Sequence, residues 1–158
     1  MMKLDKSKST EGNGLTKHFT GLRKADNAMT VGVQQDAHDY PDGTSVLMVA
    51  MVGEFGNASK NIVPRHFLSR AVEVDERYYK QRIVKILKRY DKDHKLINIM
   101  MNQLGSDSMQ KVKGHIEANN IGMAPNKEST AFAKGGNQPL VDTGHLVRQI
   151  DYKNERKR

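Results

Sequence analysis

The chain contains no cysteine and no tryptophan, only four prolines, and just 6 % aromatic residues. Without cysteine there can be no disulfide framework, thiolate zinc site or cysteine nucleophile, so stability rests on packing or on assembly. Long hydrophobic runs are missing too. The longest, "SVLMVAMVG" from Ser45 to Gly53, falls far short of the ~18 apolar residues that cross a bilayer. The N-terminal "MMKLDKSKSTEGNG" has no apolar stretch of the kind a secretory signal needs. These absences predict a protein made in, and retained in, the cytoplasmic compartment, with no membrane contact.

With 158 residues, 37 % of them hydrophobic, the chain is the size of one domain with a modest core. Its formal net charge of +8 is concentrated in two places. Between Arg77 and Lys95 eight Lys and Arg stand against Asp91 and Asp93, and from Arg148 to Arg158 five stand against Asp151 and Glu155. Such asymmetry fits a solvated helix face and tail, or contact with nucleic acid or an acidic protein surface.

Local pattern divides the chain into a flexible arm (1–14), a single domain (15–153) with a long loop at 120–136, and a basic tail (154–158). "AMTVGV" from Ala28 to Val33 alternates as a half-buried strand does, and "YPDG" after it reads as a turn. "TSVLMVAMVGEFG" fits a buried strand or a short helix; Thr44 or Ser45 as N-cap and Gly56 as terminator favour helix. From Arg65 to Tyr90 the positions Leu68, Val72, Tyr79, Ile83, Ile86 and Tyr90 predict one long amphipathic helix with its basic face outward, and Pro64 sits at its first turn. Ile97, Met101, Leu104, Val112 and Ile116 predict a second, in which Gly105 permits close approach of another helix. "PLVDTGHLV" reads as a short helix and "RQIDYKN" as a strand. The resulting fold class is α+β, with two long amphipathic helices packed on a small, mostly antiparallel sheet.

The tripeptide Asp142-Thr143-Gly144 has the form of a retroviral-type aspartic protease loop. A protease dyad needs two carboxylates sharing a proton and enough following chain to build a cleft. Only sixteen residues follow Asp142, and His145 stands where those proteases carry a small residue. A helix cap explains the same residues: Asp142 or Thr143 accepts backbone N–H bonds, Leu140 and Leu146 staple the turn, and Asp142→Ala costs about 1 kcal/mol. The six histidines lack paired metal-ligand spacing, so they read as isolated surface residues. The glycine pairs lack a phosphate-loop context, and no nucleophile elbow is present. Nothing in the residues argues for an enzyme, a cofactor, a metal or a small-molecule substrate.

In order, "TVGV", "DGTSVLMVAMVGEFG", "IVPRHFL", "NQLG" and "KGGNQPLVDTGHLVRQIDY" resemble the virion-morphogenesis or tail-completion proteins of tailed bacteriophages, over about residues 28–152. The matching positions include Glu54, Phe55, Gly56, Pro64, Arg65, Phe67, Leu68, Leu104, Gly105, Lys134, Gly135, Pro139, Leu140, Asp142, Thr143, Gly144, Leu146, Ile150 and Tyr152. Gly53, His66 and Arg148-Gln149 depart from the family pattern.

The resemblance implies a non-enzymatic structural protein of the virion neck, made in the host bacterial cytoplasm. Its copies would form a homo-oligomeric ring, a hexamer, around the DNA channel at the head–tail junction. Its partners would be itself and the adjacent neck, connector and tail proteins. Lys80, Lys85, Lys88 and Arg89 would offer sequence-independent contact with packaged DNA or a partner, and the 120–136 loop, with Met123 and Phe132, would order against a neighbour. The competing reading is a stand-alone basic protein that binds DNA without sequence preference.

Overall fold

The computed structural model describes residues 27–90 and 94–156. The 1–14 arm, the first part of the expected domain and the last two tail residues lie outside the described residues. In chain order the elements are strand β1 (Asn27–Val33), α1 (Val46–Phe55), a 3-10 turn (Ala58–Lys60), α2 (Phe67–Val74), α3 (Glu76–Tyr90), α4 (His94–Ala118), α5 (Glu128–Lys134), α6 (His145–Arg148) and strand β2 (Ile150–Arg156).

The ambiguous apolar run is helical, and its ends show why. The Val46 N–H donates to Asp39 Oδ1 at 3.0 Å and the Met48 N–H to Ser45 Oγ at 3.5 Å, satisfying two of the first-turn amides. At the other end Gly56 takes φ +74 and donates its N–H to the Val52 carbonyl. A side chain there would collide with the Ile62 carbonyl, 2.6 Å from where a Cβ would stand, so only glycine closes this helix.

β1 and β2 form a two-stranded antiparallel sheet with Val31 opposite Tyr152 and Val33 opposite Ile150. The strand expected at residues 28–33 pairs with the one expected near the C-terminus, which ties the two ends of the described chain together. β2 continues to Arg156, into what the charge pattern had assigned to the tail.

Three expectations need correction. The long helix predicted over residues 65–90 is two helices, because the chain breaks at Asp75 (φ −98, ψ 11). The Asp75 carboxylate explains the break: it accepts Lys111 Nζ and His115 Nε2, both at 2.9 Å, from α4. Pro64 lies three residues before the first helical residue, Phe67, and not in the first turn. The 120–136 segment is not an open loop either. It contains α5, buries Ile121 and Met123 in the main core, and is held by side chains of α2 and the turn before it.

The main core joins Val46 and Ala50 of α1, Phe67 and Ala71 of α2, Val112 and Ile116 of α4, and Leu146, Val147 and Ile150 near the C-terminus. Full burial of side chains such as Phe67, Ile116 and Ile150 contributes roughly 1.5–3 kcal/mol each. A second cluster, Ile86, Ile97 and Leu104, lies between α3 and α4. Beside it Tyr78 Oη donates to Asp107 Oδ2 at 2.6 Å, and Arg82 Nη2 donates to the same oxygen at 2.8 Å.

The close approach anticipated at Gly105 is made by the sheet. A Cβ on Gly105 would stand 2.3 Å from Tyr152 Cδ2, so α4 lies directly on the β2 tyrosine ring. Gly105→Ala is expected to destabilise the protein by about 1–3 kcal/mol in urea unfolding. Gly114 on the same helix has open space, so Gly114→Ala is expected to stabilise it by up to about 1 kcal/mol.

The carboxyls of Asp75 and Asp107 both titrate below their ordinary 3.8. At Asp75 burial pushes upward but is outweighed by the Lys111 and His115 hydrogen bonds; at Asp107 the Tyr78 and Arg82 hydrogen bonds dominate. A depressed folded value means stabilisation that is present above the unfolded value and lost as pH falls through the folded one. Unfolding free energy is therefore expected to decline as pH drops below about 4. The decline should be shallower in the Asp75→Asn, Asp107→Asn double variant, as read by denaturant melts across pH.

Candidate functional site

The motif residues Glu54, Phe55, Gly56, Pro64, Arg65 and Phe67 fall at one junction, where α1 ends and α2 begins. From Gly56 the chain makes a closed loop: Asn57 and Ile62 exchange backbone hydrogen bonds at 2.8 and 2.9 Å. Asn57 Oδ1 accepts the Lys60 N–H at 3.2 Å and Ser59 Oγ at 2.7 Å. The returning segment then runs beside the end of α1, with the Arg65 N–H donating to the Gly53 carbonyl at 2.9 Å.

Glu54 closes the junction. It is 7 % exposed, and its carboxylate accepts the Leu68 N–H at 2.9 Å, the Ser69 N–H at 3.3 Å and Ser69 Oγ at 2.6 Å. Those two amides are among the first-turn donors of α2 that no helical carbonyl can satisfy. An anionic acceptor there also faces the positive end of the helix dipole. His66, at the N-cap position, makes no side-chain cap bond, so Glu54 substitutes for it from the preceding helix. His66 takes φ +52, a conformation that proline cannot adopt.

The other motif residues divide by role. Phe67 is fully buried, and Leu140 and the Phe67 ring pack over Gly53, which leaves no room there for a larger residue. Arg65 reaches the opposite way, donating from Nε to the Ala124 carbonyl at 3.3 Å and from Nη2 to Asn126 Oδ1 at 3.1 Å. Burial draws its pKa below the ordinary guanidinium value. Pro64 is exposed, and Phe55 is 71 % exposed on the outer side of α1.

Sequence reasoning missed Arg70 and Gln138. Arg70 Nη1 donates to the Ile121 and Gly122 carbonyls, and Gln138 Nε2 to those of Ile116 and Glu117, so both clamp the turn that follows α4. Neither carried a signal: Arg70 lies just beyond the "IVPRHFL" block, and Gln138 follows the polar run Gly135-Gly136-Asn137. His115, read as an isolated surface residue, is instead half-buried, with Asn120 Oδ1 on Nδ1 at 2.7 Å and Asp75 on Nε2.

Asp142, Thr143 and Gly144 do not form the expected cap. The N-cap of α6 is Gly144 (φ +72) with no side-chain cap bond, and Thr143 Oγ1 accepts only a long contact from the His145 N–H, 3.4 Å. The Asp142 side chain is exposed at the edge of a cavity of about 730 Å³ and is the only carboxylate among the described residues lining it. Among the described residues lining the cavity no second acid stands beside it to share a proton, as a protease dyad would require. What Asp142 does is electrostatic: the Tyr40 phenol is pushed up first by burial and then by the Asp142 and Asp42 charges. His145 stacks against Tyr40 with ring centres 4.5 Å apart, and its Nε2 lies 2.8 Å from the His38 carbonyl. Leu140 and Leu146 do pack beside this turn, but as part of the main core.

The four cations singled out in the sequence lie along α3. Lys80 pairs with Glu76 at 2.6 Å in an exposed i,i+4 bridge. Lys85, Lys88 and Arg89 are exposed and make no ion pair with a described residue. Among the described residues no three His, Asp or Glu side chains are grouped to hold a metal ion, and no helix is long and apolar enough to cross a membrane. Comparison with protein-family models, with curated proteins and with solved structures gives no match to any of the three.

Removing the buried Glu54 carboxylate leaves two part-buried first-turn amides without acceptors. Glu54→Ala is expected to cost about 2–4 kcal/mol in urea unfolding, with Glu54→Gln falling between it and the parent chain. Asp142→Ala, which removes no hydrogen bond in the structure, is expected to lie within about 0.5 kcal/mol of the parent. Equal costs at the two positions would contradict this assignment.

Proposed function

We propose that this protein is a structural component of the head–tail neck of a tailed bacteriophage, a tail-completion protein whose copies form a ring around the DNA channel. The observation that supports it most is the convergence of the residues that carry the resemblance. Glu54, Gly56, Arg65, Phe67 and Leu140 meet at one capped junction, so the ordered motif series behaves as the signature of one fold element. Their hydrogen bonds and contacts are structural, as a scaffold protein requires.

A ring is built from one heterologous interface repeated around an axis. Phe132 suits such an interface: it is 92 % exposed on α5, whose approach is anchored to the body through Arg65 and Asn126. The exposed Lys85, Lys88 and Arg89 suit a channel that attracts a duplex without pinning it. Six copies, with neck and tail proteins as neighbours, complete the proposal.

The same cations support the second reading, a basic protein that binds duplex DNA alone. The two separate cleanly. The neck reading expects labelled protein at the head–tail junction in electron micrographs of virions; label confined to the capsid shell or the baseplate tip would reject it. The second reading expects the purified monomer to bind duplex DNA with an affinity that falls steeply with salt, and expects no copies in virions. Reversing charge at Lys80, Lys85, Lys88 and Arg89 is expected to reduce DNA retention in assembled particles. Unchanged retention would assign those side chains to solvation alone.

A further inference from the structure

The cavity of about 730 Å³ that Asp142 borders lies between α1, the 57–62 loop, the segment leading into α5 and the turn before α6. Its size falls within the roughly 300–1,000 Å³ of ligand sites. Val49, Val52 and Leu140 give it an apolar wall, with Asn57 and Thr130 set among them. Among the described residues that line it, three cations, Lys60, Arg65 and Lys127, stand against one acid, Asp142.

Arg65 is partly buried, and neutral acceptors alone hold its guanidinium. Nε donates to the Ala124 carbonyl at 3.3 Å and Nη2 to Asn126 Oδ1 at 3.1 Å. Nη1 makes no hydrogen bond to a described residue, and no described carboxylate pairs with the side chain. Arg82, by contrast, has Asp107 at 2.8 Å. A charge withdrawn from water without a counter-charge is costly, and burial is what draws the Arg65 pKa down. The two neutral bonds fix the plane of the fork and leave Nη1 for a ligand.

We propose that this cavity binds a peptide segment of a partner protein, with a carboxylate of the peptide on Arg65 and its apolar side chains against Val49, Val52 and Leu140. The guanidinium fork matches a carboxylate in shape and charge. Lys60 and Lys127, both exposed and in no ion pair with a described residue, add attraction at the rim. A bare inorganic anion would leave the apolar wall uncovered, and a hydrocarbon chain would leave Asn57 and Thr130 without partners. A peptide satisfies both, through side chains and main-chain amides. Asp142 acts on Tyr40 and not on Arg65, so the repulsion it exerts directs the carboxylate to the Arg65 end. The site belongs to the folded chain and does not depend on the neck assignment.

Methyl NMR titration of the full chain tests this with three probes. Acetyl-Leu-Glu-Leu-amide offers a side-chain carboxylate, acetyl-Leu-Leu-Leu with a free C-terminus offers a chain end, and acetyl-Leu-Gln-Leu-amide offers neither. Saturable shifts at Val49, Val52 and Leu140 are expected from the acids, at least about tenfold tighter than from the glutamine peptide, and the tighter acid identifies the source of the carboxylate. Arg65→Gln is expected to abolish that preference. Because it also removes the bonds to Ala124 and Asn126, a Lys60→Gln, Lys127→Gln variant accompanies it, which breaks no side-chain hydrogen bond among the described residues. It is expected to weaken the acids about threefold and leave the glutamine peptide unchanged. Equal affinity for acid and glutamine peptides, a preference that survives Arg65→Gln, or tighter binding of inorganic phosphate than of either acid would overturn the proposal. Shifts confined to Val72 and Ile83, which line the separate groove across α1, would overturn it as well.

Discussion

The Glu54 carboxylate is the constraint on which the rest of the architecture depends. It sits at the end of α1, buried, and accepts the first-turn amides of α2. A buried carboxylate is costly unless its oxygens are satisfied, and the helix N-terminus supplies both the donors and a favourable dipole. The contact therefore specifies more than it stabilises: α2 must start where Leu68 and Ser69 can reach Glu54, which places Phe67 in the core. Arg65, two residues earlier, then reaches the segment before α5, where it holds Ala124 and Asn126. One acid thereby sets the direction of the chain on both sides of the 57–62 loop.

The parts of the fold that were legible in the sequence are those with local causes. Ser45 and Gly56 mark the two ends of α1, and alternation marks both strands. What was not legible depends on partners distant in sequence. No rule of helix periodicity shows that Asp75 will be drawn to Lys111 and His115, thirty-six and forty residues away, and that pull is what splits the predicted long helix. Glu54 could be noticed as a motif residue but not as a cap, because its amides lie fourteen and fifteen residues onward, outside the short spacing of a capping box. The reverse error occurred at Asp142, where a sequence well suited to a local cap folds with glycine at the cap position and leaves the carboxylate in solvent.

These particulars shape the functional proposal. A scaffold subunit needs a rigid body with defined projections, and the bonds from Arg65, Arg70 and Gln138 turn the 120–136 segment from a free loop into a fixed platform. Met123 is spent in the core of the same molecule, which leaves Phe132 as the projecting aromatic residue of that segment. The cations of α3 stand on a helix whose inner face is held by Ile86 and by the Tyr78–Asp107–Arg82 group, so their spacing is fixed whatever they meet.

The central claim, that Glu54 welds the two helices, is tested most directly by native-state amide hydrogen exchange at Leu68 and Ser69. First-turn amides without acceptors ordinarily exchange with little protection. Here both are expected to exchange as slowly as the mid-helix amides of α4, and to lose that protection in Glu54→Ala while α4 remains slow. Rapid exchange at Leu68 and Ser69 in the parent chain would contradict the account.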